Sequence, residues 1–426
     1  MFYCYIASLI LINIPFFALS PQFNIINTSL ISRILTLIVF ISILISNKKT
    51  HRLILLTQKI RVLVISLLIF FFSISLSIIS SLNPILFLNK YESIVFAMLM
   101  FINSIYYSNK LNISFIKYII YFWLLINISN ELFILIDPKT YLSIIVPLLD
   151  KEQANFVYNV NSRSRLLLTT YNELFFPLIM LQIMFAKMAY KKTIYCIGLL
   201  LIVILSFLSG WRIRIILIIL GVIILFIHAI KTIQIQKRSF LIILLLLFIV
   251  TIFFNCLLNI QGSSIKGLFV NEDSINSNIT RISIIQEYYS IFSSFPIMGV
   301  GLNNTISYRV KDYINPLLKV NKNNLELFLK ADGHNFFLDI LTETGIIGLI
   351  SLLIFLIICL HNDIKLISYS NIKNNPELFG LIFCFWLIII FSLFHSIEGY
   401  RFYSLLFIIR AYTFTNNYQN TYAIKQ

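Results

Sequence analysis

Long apolar runs alternate with short polar stretches along almost the whole chain. A helix that crosses a bilayer needs about 20 apolar residues, somewhat fewer where polar anchors flank it. By that measure the pattern predicts spans near residues 3–19, 29–46, 61–82, 91–107, 115–136, 166–188, 193–209, 213–230, 239–258, 335–360, 378–396 and 400–416. The expected fold is therefore all-α, a polytopic membrane protein of about 12 transmembrane helices. It reads as a single membrane domain over residues 1–426. The first residues have neither a basic leader nor a small-residue cleavage site, so 3–19 reads as a span and not as a removed signal. The last run carries Arg410 and flanking tyrosines, which also suit a helix lying in the interface.

The connecting segments set the orientation. Lys48, Lys49, Arg52, Lys59 and Arg61 fill one of them, Lys187, Lys191 and Lys192 another, and Lys231, Lys237 and Arg238 a third. Alternating spans put all three on one side, and the opposite segment near 20–28 has no Lys or Arg. The positive-inside rule then places both termini in the cytoplasm. Two outer loops stand out, 137–165 and the long 259–334 between spans nine and ten. In the long loop Ile279, Ile282, Ile285, Tyr289 and Phe292 recur near helical spacing after Asn278. They predict an amphipathic helix resting on the membrane or on the bundle.

Composition sharpens this picture. The chain is 59% hydrophobic and 12% charged, more apolar surface than a soluble protein hides from water. Its net charge of +16 comes from 33 basic against 17 acidic residues. Without a basic-aromatic module outside the spans, that excess reads as inner-side loop charge, and no nucleic acid is expected as a partner. The five cysteines, Cys4, Cys196, Cys256, Cys359 and Cys384, all fall in apolar runs without metal-ligand spacing. They read as packing residues.

Polar groups are costly at membrane depth, so their placement is informative. Arg33, Glu92, Glu131, Arg165, Glu173, Arg212, Arg214, Asp339, Glu343, Glu398 and Arg401 all fall near the outer ends of spans, as do His334 and His395. Any one of them suits an ion pair or a snorkelling side chain, but the one-sided set suggests a polar cavity opening outward. Ser209-Gly210-Trp211-Arg212-Ile213-Arg214 is a tight turn with two arginines on the side that positive-inside disfavours. Outward guanidiniums suit a phosphate or diphosphate; the alternative is an ion pair to Glu131 or Glu173. Gly299-Val300-Gly301 follows no βαβ pattern and reads as a turn, not a nucleotide loop. His334 would stand at the N-terminus of span ten, where the helix dipole keeps the ring neutral and able to accept a proton; a His at a membrane edge is more often a capping or interfacial residue than a base.

These residues resemble a family. His334-Asn335, followed after nine residues by Gly345-Ile346-Ile347-Gly348, resembles the signature of the O-antigen polymerase/ligase superfamily. Upstream, Phe295-Pro296-Ile297-Met298-Gly299-Val300-Gly301-Leu302-Asn303 resembles its Pro-x-x-Gly-x-Gly stretch. Ser209-Gly210-Trp211-Arg212 resembles its Ser-Gly-Ser-Arg turn, with Trp211 in place of a small residue. Arg281 resembles an arginine in the family's long loop, and Arg165, within Ser162-Arg163-Ser164-Arg165-Leu166, resembles another.

The resemblance implies an inverting glycosyl transfer at the periplasmic face of the bacterial inner membrane. The donor it implies is a sugar chain linked through diphosphate to undecaprenol. His334 would be the base and Arg212 and Arg281 would hold the diphosphate. Arg214, Arg165, Asn335 and Glu398 are further candidates for substrate binding. Gly345 and Gly348 would allow close packing beneath the site. A diphosphate leaves readily, so neither metal nor other cofactor is expected. Besides the lipid-linked oligosaccharide and membrane lipid, a chain-length regulator and a flippase are the implied partners. Two activities share the family: a polymerase joins lipid-linked repeat units, and a ligase moves the finished chain onto lipid A-core. The richness in Ile, Asn and Lys suggests an AT-rich gene of the kind found in polysaccharide clusters, which favours the polymerase. A transporter of lipid-linked oligosaccharide is the alternative of another class; it calls for a polar path through both leaflets and related halves, and the sequence presents neither.

Overall fold

A computed structural model of the chain describes residues 1–12, 28–46, 60–108, 110–111, 113–137, 172–208, 214–223, 284–305, 335–369, 375–393 and 399–423. Among the described residues the regular structure is all helical. In chain order the helices are α1 (Phe2–Ile12), α2 (Thr28–Ile45), α3 (Arg61–Leu76), α4 (Pro84–Tyr107) and α5 (Ile113–Ile136). Then follow α6 (Phe176–Phe185), α7 (Ala189–Leu208), α8 (Arg214–Ile223) and α9 (284–294). The last are α10 (Phe336–Tyr369), α11 (Pro376–Ser392) and α12 (Gly399–Ala423). Five of the described helices are long and apolar enough to cross a membrane, and several shorter apolar ones accompany them. This is an all-α, polytopic membrane protein.

Local chemistry explains where the helices begin. Asn83 caps α4, its Oδ1 accepting from the backbone N–H groups of Ile85 and Leu86, and Pro84 takes the first helical position, where no N–H is needed. Pro177 and Pro376 occupy the same early positions in α6 and α11. Within the helices hydroxyls turn back on their own backbone: Ser66 donates to the Leu63 carbonyl, Ser73 to Phe70 and Thr36 to Ser32. These hydroxyls are buried, and such bonds satisfy them without a second helix.

Packing follows from which polar atoms meet between helices. α12 runs along α4, α1 along α2, α10 along α3, and α6 along α11. The Tyr5 hydroxyl on α1 donates to Ser104 Oγ on α4 at 2.8 Å and lies 3.1 Å from the Tyr412 hydroxyl on α12. Ser73 and Ser351 join α3 to α10 at 2.7 Å. Around these bonds the core is apolar and aromatic, with the rings of Phe101, Phe355 and Phe407 in edge contact. Outward faces such as Ile34, Leu37, Ile41 and Leu44 of α2 are exposed and apolar, as lipid requires.

The helices differ from the sequence pattern in four places. α4 starts at Pro84, seven residues before the expected 91, because Lys90 and Glu92 interrupt the hydropathy but not the helix. α10 was expected as an unbroken span over 335–360; it breaks at Gly345 and runs on to Tyr369. α12 is a bundle helix and not an interfacial one: Tyr403–Phe414 are buried and Arg410 is enclosed. The amphipathic helix exists over 284–294, yet its packed face is Ile284, Tyr288 and Ile291, with Leu338 against it, while Ile285 and Tyr289 are exposed. Span nine, 239–258, lies outside the described residues, as do the expected outer loop 137–165 beyond Asp137, the start of the expected span 166–188 and most of 259–334. Cys359 and Cys384 are buried, as their apolar runs suggest, and Cys256 lies outside the described residues.

Candidate functional site

The break in α10 is held open by another piece of chain. Gly345 has φ 67° and ψ −168°, so the helix stops and a second one begins. The strap 295–301 lies in the gap and binds both sides of it through backbone. Val300 N–H donates to the Thr342 carbonyl at 3.0 Å and Gly301 N–H to Glu343 at 2.8 Å. In return Ile346 N–H donates to the Pro296 carbonyl at 2.9 Å. A broken helix leaves carbonyl and N–H groups that lipid cannot satisfy, and the strap supplies their partners. The contact is too close for side chains. A Cβ on Gly299, whose φ is 68°, would strike the Glu343 carbonyl, and one on Gly345 would strike the Ile297 carbonyl. The two glycine motifs of the sequence are thus the two surfaces of one joint.

Side chains extend the joint to α3 and α4. Asn304 Nδ2 donates to Ser81 Oγ at 2.8 Å and to the Asn83 carbonyl at 3.2 Å, while its Oδ1 accepts from Asn83 N–H at 2.8 Å. Glu343 Oε1 accepts from Lys90 Nζ at 3.0 Å and from Asn303 N–H at 2.9 Å. Lys90 and Asn304 were not singled out in the sequence, and Asn303 only as the end of the Pro-x-x-Gly-x-Gly stretch. Their only signal there is a charge inside an apolar helix and two amides after a glycine turn. At the start of α10, Asn335 Oδ1 accepts from Phe337 and Leu338 N–H at 3.0 and 3.1 Å. Asn335 therefore caps the half-helix that runs to the break, next in sequence to His334.

A second polar cluster surrounds Arg214 at the start of α8. Its Nε donates to Glu173 Oε1 at 2.6 Å and one terminal nitrogen donates to Glu131 Oε1 at 2.9 Å. Ser206 on α7 donates to the same Glu173 oxygen. The side chains of Arg214, Glu131 and Glu173 are at most 1% exposed. Arg214, considered from sequence for diphosphate or for an ion pair to either acid, is paired with both. Arg33 and Glu92 make a further pair at 2.8 Å between α2 and α4, in a half-exposed setting.

Of the other expected site residues, His334, Arg212, Arg281, Arg165 and Glu398 lie outside the described residues. One buried pair stands apart from these clusters. Arg410 on α12 binds both oxygens of Asp363 on α10, with its Nη1 at 2.8 Å from Oδ1. Trp386 Nε1 donates to Asp363 at 2.7 Å, and the guanidinium carbon lies 3.9 Å from the Phe385 ring centre. The planar cation is stacked on an aromatic face and joined through its two terminal nitrogens to both carboxylate oxygens.

A comparison with curated proteins found no match to the chain. A comparison with family models did find one. The matched stretch takes in residues 209–212, Arg214, the strap and the break in α10. That similarity supports a glycosyl-transfer function of the O-antigen ligase or polymerase type, with lipid-linked polysaccharide as the substrate class. Residues 197–353 match the family described as O-antigen ligase, consistent with the O-antigen polymerase/ligase superfamily.

Proposed function

We propose that the chain is an O-antigen polymerase, an inverting glycosyltransferase that joins undecaprenyl-diphosphate-linked repeat units at the periplasmic face of the inner membrane. The observation that carries the reading is the match over 197–353 together with the joint inside it: the strap and the glycine pair of α10 mate through backbone and fix the half-helix that starts at Asn335. In the proposed reaction a sugar hydroxyl of the acceptor attacks the anomeric carbon of the donor. The new C–O bond forms as the bond to the lipid diphosphate breaks, and that electron pair leaves with the diphosphate. His334 takes the hydroxyl proton. Arg212 and Arg281 hold the diphosphate and stabilise the charge it gains. Arg165 and Glu398 are assigned to substrate binding with Arg214 and Asn335 beside them, and no metal takes part. The chain acts as one membrane domain, with 259–334 as its long outer loop.

The second reading is the ligase, which the description of the matched family favours. Deleting the gene separates the two. If the chain is the polymerase, the ligase of the strain still works and lipopolysaccharide carries a single repeat unit. If it is the ligase, polymer accumulates on undecaprenyl diphosphate and the core stays bare. The polymerase reading also requires a separate chain-length regulator, since the chain has no heptad segment to measure with, and a flippase to deliver the units. Bare core with no polymer anywhere, and units held on the cytoplasmic side, would point instead to a transporter.

A further inference from the structure

We infer that α9 is an interfacial anchor, whose outward apolar sector of Ile285, Tyr289 and Phe292 is seated in the lipid at the surface of the bilayer that α10 crosses. Successive side chains on a helix are turned by about 100°. On that wheel the residues of α9 fall into three sectors. Ile284, Glu287, Tyr288 and Ile291 are buried and face the bundle, with Leu338 of α10 packed against Ile284 and Tyr288. Ile285, Tyr289 and Phe292 lie together within about 60° of arc, the first two exposed and the third half-buried. Gln286, Ser290, Ser293 and Ser294 fill the remaining arc and are exposed or half-buried. A helix resting on protein and otherwise surrounded by water needs only two sectors. The third one here carries large apolar side chains that the bundle leaves uncovered, with Tyr289 67% exposed.

The neighbouring chain shows what covers them. α9 runs directly into the strap, where Ile297 is 60% exposed. The strap is bonded to α10 through the Ile346 N–H and the Pro296 carbonyl. Ile346, Ile347 and Ile350 are exposed on α10, a helix long and apolar enough to cross a membrane, so these side chains face lipid. The exposed apolar surface therefore continues from α10 over Ile297 to the end of α9. Charge points the same way. The lone charged residue of α9 in sequence, Glu287, is turned to the bundle, so neither outward sector selects a charged partner. The hydroxyls of Ser293 and Ser294 donate to the carbonyls of Tyr289 and Ser290 at 2.8 and 3.2 Å, which lets them lie beside lipid without a further acceptor. Tyr289 combines an apolar ring with a polar tip, as suits the boundary between acyl chains and water. Anchored in this way, α9 sets the depth at which the strap meets the break in α10. The inference needs α10 to cross the bilayer and does not depend on the function proposed above.

The test uses the full-length protein in vesicles of dioleoylphosphatidylcholine, part of it brominated on the acyl chains either near the glycerol or near the methyl end. Tryptophan replaces one residue at a time, and the emission of the native tryptophans, recorded on the unsubstituted protein, is subtracted. Leu353→Trp, at an exposed position of α10, sets the response of a residue in lipid. Tyr289→Trp is expected to lose more emission to bromine near the glycerol than to bromine near the methyl end, since an interfacial helix lies about 5–10 Å into the headgroup boundary. Ser294→Trp, in the polar sector, should lose emission to acrylamide in the water and not to bromine. Quenching of position 289 by acrylamide alone overturns the anchor. So does emission there that neither quencher reaches, which would put a protein partner or a second copy of the chain on this face. If thermal unfolding shows that Tyr289→Trp does not fold, Ile285→Trp reads the same sector. A Leu353→Trp emission untouched by bromine would take α10 out of the lipid and the anchor with it. None of these readings involves turnover, so the proposed function stands or falls separately.

Discussion

The N–H of Ile346 donates to the carbonyl of Pro296 at 2.9 Å, so the second half of α10 begins on a hydrogen bond from a strap fifty positions upstream. That bond requires a bare backbone at the crossing. Gly345→Ala places a Cβ against the Ile297 carbonyl at a positive φ. Strain of that kind costs about 1–3 kcal/mol before any clash is counted. The expected outcome is a lowered melting temperature in detergent and loss of polymer in cells. Gly198→Ala on α7 is the control: nothing lies within 4 Å of the new methyl, and the helix should gain about 0.4–1 kcal/mol. Equal melting of the two variants would contradict the joint.

Arg410→Ala leaves Asp363 buried without its cation. Removing one partner of a buried pair costs about 3–5 kcal/mol. The variant is expected to unfold at a much lower temperature or to be degraded in cells. Arg410→Lys should recover only part of the loss, since a point charge neither spans both oxygens nor stacks on Phe385. Wild-type melting of Arg410→Ala would show that the pair adds nothing.

His334→Ala and Arg212→Ala are each expected to abolish product while the protein stays inserted. Arg212→Lys should fail as well, because an ammonium lacks the bidentate fork that suits a diphosphate. The readout is the polysaccharide ladder at matched expression. Near-normal product from His334→Ala would exclude it as the base.

Residues 259–334 are expected outside the cytoplasm, from the loop charge asymmetry. A cysteine placed at Ser264 should react with an impermeant thiol reagent in cells whose outer membrane alone has been opened. Labelling that appears only after the inner membrane is breached would invert the topology.

Turnover is expected to survive excess chelator. The lipid diphosphate departs without a Lewis acid, and the outer segments hold no Asp-x-Asp in sequence. Purified enzyme with lipid-linked substrate and chelator provides the assay. Complete loss, restored by one divalent ion, would refute the metal-free mechanism.

Much of the bundle was legible because apolar runs and bilayer thickness impose the same length. The missed features have local causes. The start of α4 was written in Asn83-Pro84, a cap and a first-turn proline, but the charges at Lys90 and Glu92 masked it. The break in α10 was not visible, since the polar Thr342-Glu343-Thr344 before Gly345 and the apolar run after it both suit one continuous helix; only the strap requires the break. The helix 284–294 had the right period and the wrong face, because Ile284 and Ile285 are both apolar and spacing alone does not choose between them. Arg214 had its two acids named in advance as an alternative to phosphate. Asp363 and Arg410 could not be paired, because 47 positions separate them and nothing in the spacing of either helix points to the other. The catalytic candidates His334, Arg212 and Arg281 came from the family resemblance and stand as proposals.

The contact between Tyr5 and Tyr412 has a consequence for how the protein is made. The two hydroxyls are 407 positions apart, and that of Tyr5 also donates to Ser104 on α4. At translation rates of about 5–20 residues per second, about 20–80 seconds pass between the synthesis of one tyrosine and the other. During that interval α1 and α4 are already in the lipid, with polar atoms turned toward a neighbour that does not yet exist. Among the described hydrogen bonds between helices, this seam joins segments made far apart in time, and an insertion factor that shelters α4 until α12 arrives would act at this face.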